Sequence, residues 1–119
     1  MTKYDIRERA MDFAVRCAKI VRCLIRNQTS LEYTKQLIRS SASIGANIEE
    51  ADGAISRKDF VNKMAIARRE ARESRYWLRL IVLAGVATAA NKTEFYDLAR
   101  EAEEILLILS SIVNKARIK

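Results

Sequence analysis

Histidine and proline are both absent from this chain of 119 residues, and glycine occurs three times, at Gly45, Gly53 and Gly85. The first absence removes the side chain most used for general acid–base work near neutral pH, and with it the commonest metal ligand. Carboxylate di-iron bundles, which need an inward Glu-x-x-His pair from each of two helices, cannot be built. The histidine-dependent chemistry of small helical ribonucleases is equally out of reach. Ser41 and Ser43 have no base to activate them as nucleophiles. Scarce Pro and Gly beside abundant Ala, Leu, Ile, Arg and Glu argue for long helices with few breaks. The chain therefore reads as all-α and not an enzyme, with no cofactor, no metal site and no catalytic residue.

Long hydrophobic runs are also missing. The opening MTKYDIRERAMDF holds no apolar stretch of signal-peptide type, and the longest apolar segment, residues 80–84 continued weakly to 90, falls short of the roughly 20 residues that span a bilayer. A cytoplasmic protein without a membrane partner is the expectation. Cys17 and Cys23 fall on different faces of one predicted helix, which excludes a bridge within it and leaves two buried thiols in a reducing compartment as the plain reading. Residues 1–119 make one domain, and a chain of this size buries roughly two thirds of its unfolded surface without disulfide or metal.

What is present is helical rhythm. Helix 1 is expected over residues 4–26, with Ile6, Ala10, Phe13, Cys17, Ile20 and Leu24 forming one apolar stripe. Thr29 and Glu32 have capping-box spacing at the start of helix 2, which turns Leu37, Ser41, Ile44, Ile48 and Ala51 inward. The small Ala42, Gly45 and Ala46 let a neighbour approach closely, and Gly53 suits a left-handed stop. Ser56 with Asp59 opens helix 3, whose stripe is Phe60, Met64, Ala67, Ala71, Leu78 and Ile81 and whose stop is Gly85 with Val86. Asn91 with Glu94 opens helix 4, with Phe95, Leu98, Ala102, Ile105, Leu109 and Ile112 inward. Four helices on short loops predict an antiparallel up-and-down four-helix bundle.

Two runs are too apolar for a lone bundle. Residues 80–84 and the consecutive Ile105, Leu106, Leu107, Ile108 and Leu109 each sweep more than one helical turn, so each puts apolar side chains outside its core stripe. Such surplus marks a partner surface. Tyr76, Trp77, Leu80, Leu83, Leu107 and Ile108 are the expected oligomer contacts, the first two being residue types that anchor interfaces.

The net charge of +7 is uneven. Residues 1–27 hold seven Lys or Arg against three acids and residues 54–90 hold eight against three, whereas residues 28–53 hold two against four and residues 91–119 balance at five each. Helices 1 and 3 are thus the basic ones. Arg68, Arg72, Arg75 and Arg79 step by four, three and four along one face of helix 3, and Arg16, Lys19, Arg22 and Arg26 make a looser edge on helix 1. Arginine stripes suit phosphate backbones, because the guanidinium is a permanently charged planar fork of donors. A solvated or ion-paired face is the alternative, since Arg69 can reach Glu73 and Glu70 adjoins the stripe. No base-reading motif is visible, so binding to RNA or DNA would be electrostatic or shape-based. Glu49, Glu50 and Asp52 oppose the dipole at the end of helix 2, which points to a compensating cation from helix 3 or a neighbouring subunit. Ser43 and Asn47, one turn apart, can bond to each other or to a facing helix.

Several segments carry a family resemblance. Gln36-Leu37-Ile38-Arg39-Ser40-Ser41, then Ser43-Ile44-Gly45-Ala46-Asn47-Ile48-Glu49-Glu50-Ala51, then Ser56-Arg57-Lys58-Asp59-Phe60 and Ile66-Ala67-Arg68-Arg69-Glu70-Ala71 with Glu73 resemble proteins encoded within 23S rRNA intervening sequences. Ser43, Asn47 and Glu50 are the structural-motif positions of that match. Where relatives commonly carry Glu-Gly, this chain has Glu50-Ala51 and delays its glycine to Gly53. The resemblance implies closed homopentameric rings of four-helix bundles. It also implies similarity to accessory variability determinants of diversity-generating retroelements, which bind a reverse transcriptase and nucleic acid through a basic surface. It supplies no catalytic residue. Two functions remain open: a non-catalytic accessory protein that binds RNA or DNA, and a scaffold whose basic faces meet an acidic partner protein.

Overall fold

The helices sort in space as they sort in sequence, each beside its chain neighbours. A computed structural model describes residues 5–118. It contains α1 (Ile6–Ile20), a 3-10 turn (Val21–Cys23), α2 (Gln28–Asp52), α3 (Arg57–Leu83) and α4 (Lys92–Ile118), and no strand among the described residues. α1 packs on α2 and α4, and α3 packs on the same two, so α1 and α3 are diagonal partners across one core. Early α1 meets late α4: Arg9 reaches Glu101 and Glu104, while Arg16 reaches Glu94. That crossing of register, repeated by Ser40 against Ser74 between α2 and α3, makes neighbouring helices antiparallel. The expected four-helix bundle is thus the fold, drawn out to 47 × 29 × 19 Å.

Capping explains where each helix starts. Asp5 accepts the Glu8 amide at 3.0 Å and Ser56 accepts the Asp59 amide at 3.1 Å, the latter as expected. α2 begins instead at Asn27. Its Oδ1 accepts the Ser30 amide at 2.9 Å and Ser30 Oγ accepts the Asn27 amide at 3.0 Å, a closed capping box. The Thr29–Glu32 box is therefore corrected: Thr29 already lies inside the first turn, and Glu32 accepts from Gln28 instead, at 3.2 Å. Asparagine is as good an N-cap as any residue and sits two positions earlier, so it wins. Asn91 precedes α4, but its side-chain amide donates to Thr88 Oγ1 at 2.9 Å rather than forming a box with Glu94.

The ends differ more from expectation. α1 stops at Ile20, tightens into the 3-10 turn and leaves it through an extended Leu24, so it falls short of Arg26; the expected start at Tyr4 lies outside the described residues. Gly53 has φ −96°, an ordinary right-side conformation, and does not supply a left-handed stop. Gly85 does, at φ +75°. There the Val86 amide donates to the Ile81 carbonyl and the Gly85 amide to Val82, both at 3.0 Å, which is the paired bonding of a Schellman stop.

The core follows the stripes. Phe13, Leu37, Ile44, Leu78, Ile81, Phe95, Leu98, Ile105 and Leu109 are fully enclosed. Ile6, Phe60 and Ile112 are only half-buried at the stripe ends, and Val113 takes the enclosed position beside Ile112. Gly45 meets α1 closely, since a Cβ there would lie 3.7 Å from that of Ala10, whereas Ala42 and Ala46 face outward. Cys17 is buried as expected, but Cys23 is exposed, because the 3-10 turn rotates it off the α1 stripe. Glu70 and Ser74 take core-register positions on α3 with Ser40 opposite on α2, and the Ser40 and Ser74 hydroxyls bond at 2.8 Å.

Candidate nucleic-acid interface

The register of α3 divides its polar side chains between two edges. On the α2 edge lie Glu70 and Glu73. Arg39 of α2 reaches both, with Nη1 3.1 Å from Glu70 Oε1 and Nη2 bonded to Glu73. The Trp77 indole donates to Glu73 at 2.9 Å, and its ring lies 5.9 Å from that of Tyr33. Burial pushes the Glu73 carboxyl upward, but the Trp77 and Arg39 hydrogen bonds outweigh it and hold the group below the usual carboxylate range. Both carboxylates of this edge are thus held by one arginine within the bundle. Glu73, which spacing puts within reach of Arg69, pairs with Arg39 approaching from the facing helix.

The other edge, toward α4, carries the arginine stripe. Arg75 pairs with Glu103 of α4. Arg68 is half-buried, Arg72 and Arg79 are exposed, and none of the three has an acidic partner among the described residues. Arg75 and Arg79 also line an open groove of about 660 Å³ between α3 and α4, completed by Thr93, Tyr96, Asp97, Ala99, Arg100 and Glu103. Arg100 pairs with Asp97 one turn away. The α4 half of this groove was overlooked in the sequence. Thr93, Tyr96, Arg100, Glu103 and Leu107 step by three, four, three and four, the same rhythm as the arginines opposite.

The second basic set is not one helical edge, and that expectation is corrected. Arg16 and Lys19 lie on α1, with Arg16 Nη2 3.4 Å from Glu94 of α4. Arg22 belongs to the 3-10 turn and Arg26 follows it, both lining a cleft of about 250 Å³ with Leu24, Ser30 and Leu31. The chain turns at Leu24, so helical spacing no longer aligns these residues. Since α1 and α3 are diagonal, the two basic sets occupy different sides of the bundle.

The apolar runs are mostly absorbed. Ile105, Leu106 and Leu109 are buried, as are Ile81 and Val82, because helices wedged between two neighbours bury a wide arc. Left outside are Tyr76, Leu83 and Leu107, exposed by 58%, 68% and 59%, with Leu80 and Ile108 half-buried. Trp77 is half-buried against the core, edge-on to Tyr76. Met11, Val15, Ile25, Leu31 and Ile38 are further exposed apolar residues, all on the α1–α2 half of the bundle and all outside the two runs.

At the end of α2, Asn47 Nδ2 donates to Ser43 Oγ at 3.1 Å and to the Ser43 carbonyl at 2.9 Å, so this pair closes on itself. Glu50 is exposed, and its backbone carbonyl accepts the Gly53 amide. Within the chain, the cation that offsets the acidic cluster is Arg7 of α1, 3.3 Å from Asp52, rather than a residue of α3. α1 is the helix that runs antiparallel past this end, which brings Arg7 alongside. Among the described residues no helix is long and apolar enough to cross a membrane.

Comparison with known proteins agrees with this architecture. No curated protein matches the chain. A crystal structure of a protein with unknown function from the S23 ribosomal protein family of Bacteroides thetaiotaomicron VPI-5482 is 37% identical, covers 92% of this chain and 98% of its own, and superposes with a TM-score of 0.81. The family model of the 23S rRNA-intervening sequence protein matches residues 2–111, which takes in every helix except the last turns of α4. By both its segments and its bundle, this chain belongs to the 23S rRNA-intervening sequence protein family.

Proposed function

We propose that this protein is a non-catalytic accessory factor of the cytoplasm that assembles into a homo-oligomeric ring, a pentamer by family resemblance, and holds RNA or DNA by its phosphates. One observation carries the reading: Arg68, Arg72 and Arg79 line the α4 edge of α3 in a single row without an acidic partner among the described residues. Unpaired guanidinium groups in a row fit a phosphate backbone, and ring assembly would repeat the row. Binding of this kind is weak and indifferent to sequence.

The test is an ionic-strength titration on duplex DNA. With three phosphate contacts, log affinity should fall against log salt with a slope of roughly −2.7, at about −0.9 per neutralised phosphate, and roughly −3.6 if Arg75 also leaves Glu103. Arg68→Gln, Arg72→Gln, Arg75→Gln and Arg79→Gln together should abolish binding with helicity intact. Equal binding by both proteins would reject the mechanism. The second reading, a scaffold for an acidic protein partner such as a reverse transcriptase, draws on the exposed Tyr76, Leu83 and Leu107 beside these arginines, a mixture suited to protein contacts. Failure of every nucleic acid to bind at low salt would promote it.

A further inference from the structure

The α3–α4 groove mixes chemistry that a bare phosphate track has no use for. Arg79 and Arg100 bring positive charge to it, yet Asp97 and Glu103 stand among them and the Tyr96 ring forms part of its wall. Carboxylates repel phosphate oxygens. Each can, however, accept more hydrogen bonds than its single arginine partner supplies, and the donors they lack are hydroxyl or amino groups. An accessible aromatic face beside arginines is a stacking platform for an unpaired base. In a duplex the bases are already stacked on one another, and side chains cannot read the deep groove of an RNA helix. A groove of about 660 Å³ has room for one splayed nucleotide rather than the width of a double helix.

From these features we infer that the α3–α4 groove takes single-stranded RNA. A base stacks on Tyr96, its phosphates sit on Arg79 and Arg100, and the ribose 2′-hydroxyl donates to Asp97 or Glu103. DNA lacks that hydroxyl, so the carboxylates that welcome ribose only repel a deoxyribose strand. The inference rests on the nucleic-acid reading above and narrows it from any phosphate backbone to one class of ligand.

Fluorescence anisotropy with a labelled oligoadenylate RNA, the DNA of the same sequence and an RNA duplex tests it on the intact protein. The single-stranded RNA should bind tightest. Tyr96→Ala should weaken it by roughly 5- to 150-fold, the equivalent of about 1–3 kcal/mol for one lost base stack, while Tyr96→Phe binds as wild type. Tyr96 is partly exposed and alanine favours helix, so the variant keeps its fold, which circular dichroism checks. Unchanged binding by Tyr96→Ala, or equal or tighter binding of the DNA or the duplex, overturns the inference. If the four-arginine variant then still loses binding, the phosphate reading stands without it. Absence of binding by the wild type to all three ligands overturns the inference, and absence of binding to duplex DNA at low salt as well overturns both.

Discussion

Cys17 and Cys23 show how far one turn of backbone changes a side chain. Cys17 is fully enclosed in the α1 stripe, and burial pushes its thiol up to about 12 despite a Ser41 hydrogen bond that works the other way. Only thiolate reacts, so the native protein should hold this sulfur inert. Cys23, six positions on, is exposed. A disulfide reagent at mild alkaline pH should therefore titrate one thiol per chain in the native state and two after unfolding, with mass spectrometry placing the first label on Cys23. Rapid labelling of both would show that α1 does not hold Cys17 in the core. Arg9 is the polar counterpart: Nε and Nη2 clasp Glu101 at 2.9 Å each while Nη2 also reaches Glu104 at 2.7 Å, and these carboxylates hold the guanidinium in its charged form.

At the scale of the element, the ends of helices were less legible than their faces. The stripes of α2, α3 and α4 could be read from three- and four-residue steps, because the helix period imposes them on any sequence that buries one side. Where α2 begins depended on competition between neighbouring polar residues, and Asn27 prevails over Thr29 through the bonds it exchanges with Ser30. Asn27→Ala should accordingly lower stability by about 1 kcal/mol, and Thr29→Ala by much less, measured as urea midpoints at constant slope. The reverse ranking would restore the Thr29–Glu32 box. Glu70 was harder to foresee as a buried residue. Its place in the α3 core rhythm, three after Ala67 and four before Ser74, was visible, but the cation that makes its burial tolerable comes from Arg39 on another helix.

For the whole molecule, the arginine edge and the exposed Tyr76, Leu83 and Leu107 lie on the same two helices, α3 and α4. If the apolar residues seat a second copy, the unpaired arginines border that contact and the ring lines them up. Sedimentation velocity should then find the wild type oligomeric at micromolar concentration. Leu83→Glu with Leu107→Glu should give a folded species of the monomer's mass, since both side chains already stand in solvent and their loss leaves the bundle core untouched. A wild type that sediments as a monomer would refute the assembly.

Some of this protein was decided by the chain alone: four helices, their inward faces, the Ser56 start and Gly85 stop of α3, and the alignment of four arginines. All are local consequences of backbone geometry and side-chain spacing within a turn or two. What only the tertiary structure decided is which charges remain available. Arg75 pairs with Glu103, Arg39 takes Glu70 and Glu73, Arg7 takes Asp52, and the α3–α4 groove gathers Tyr96 and Arg100 opposite Arg79. Each of these pairs side chains from different helices, and their meeting is set by the register in which packed cores lock the helices together, a quantity that no single helix carries in its own sequence.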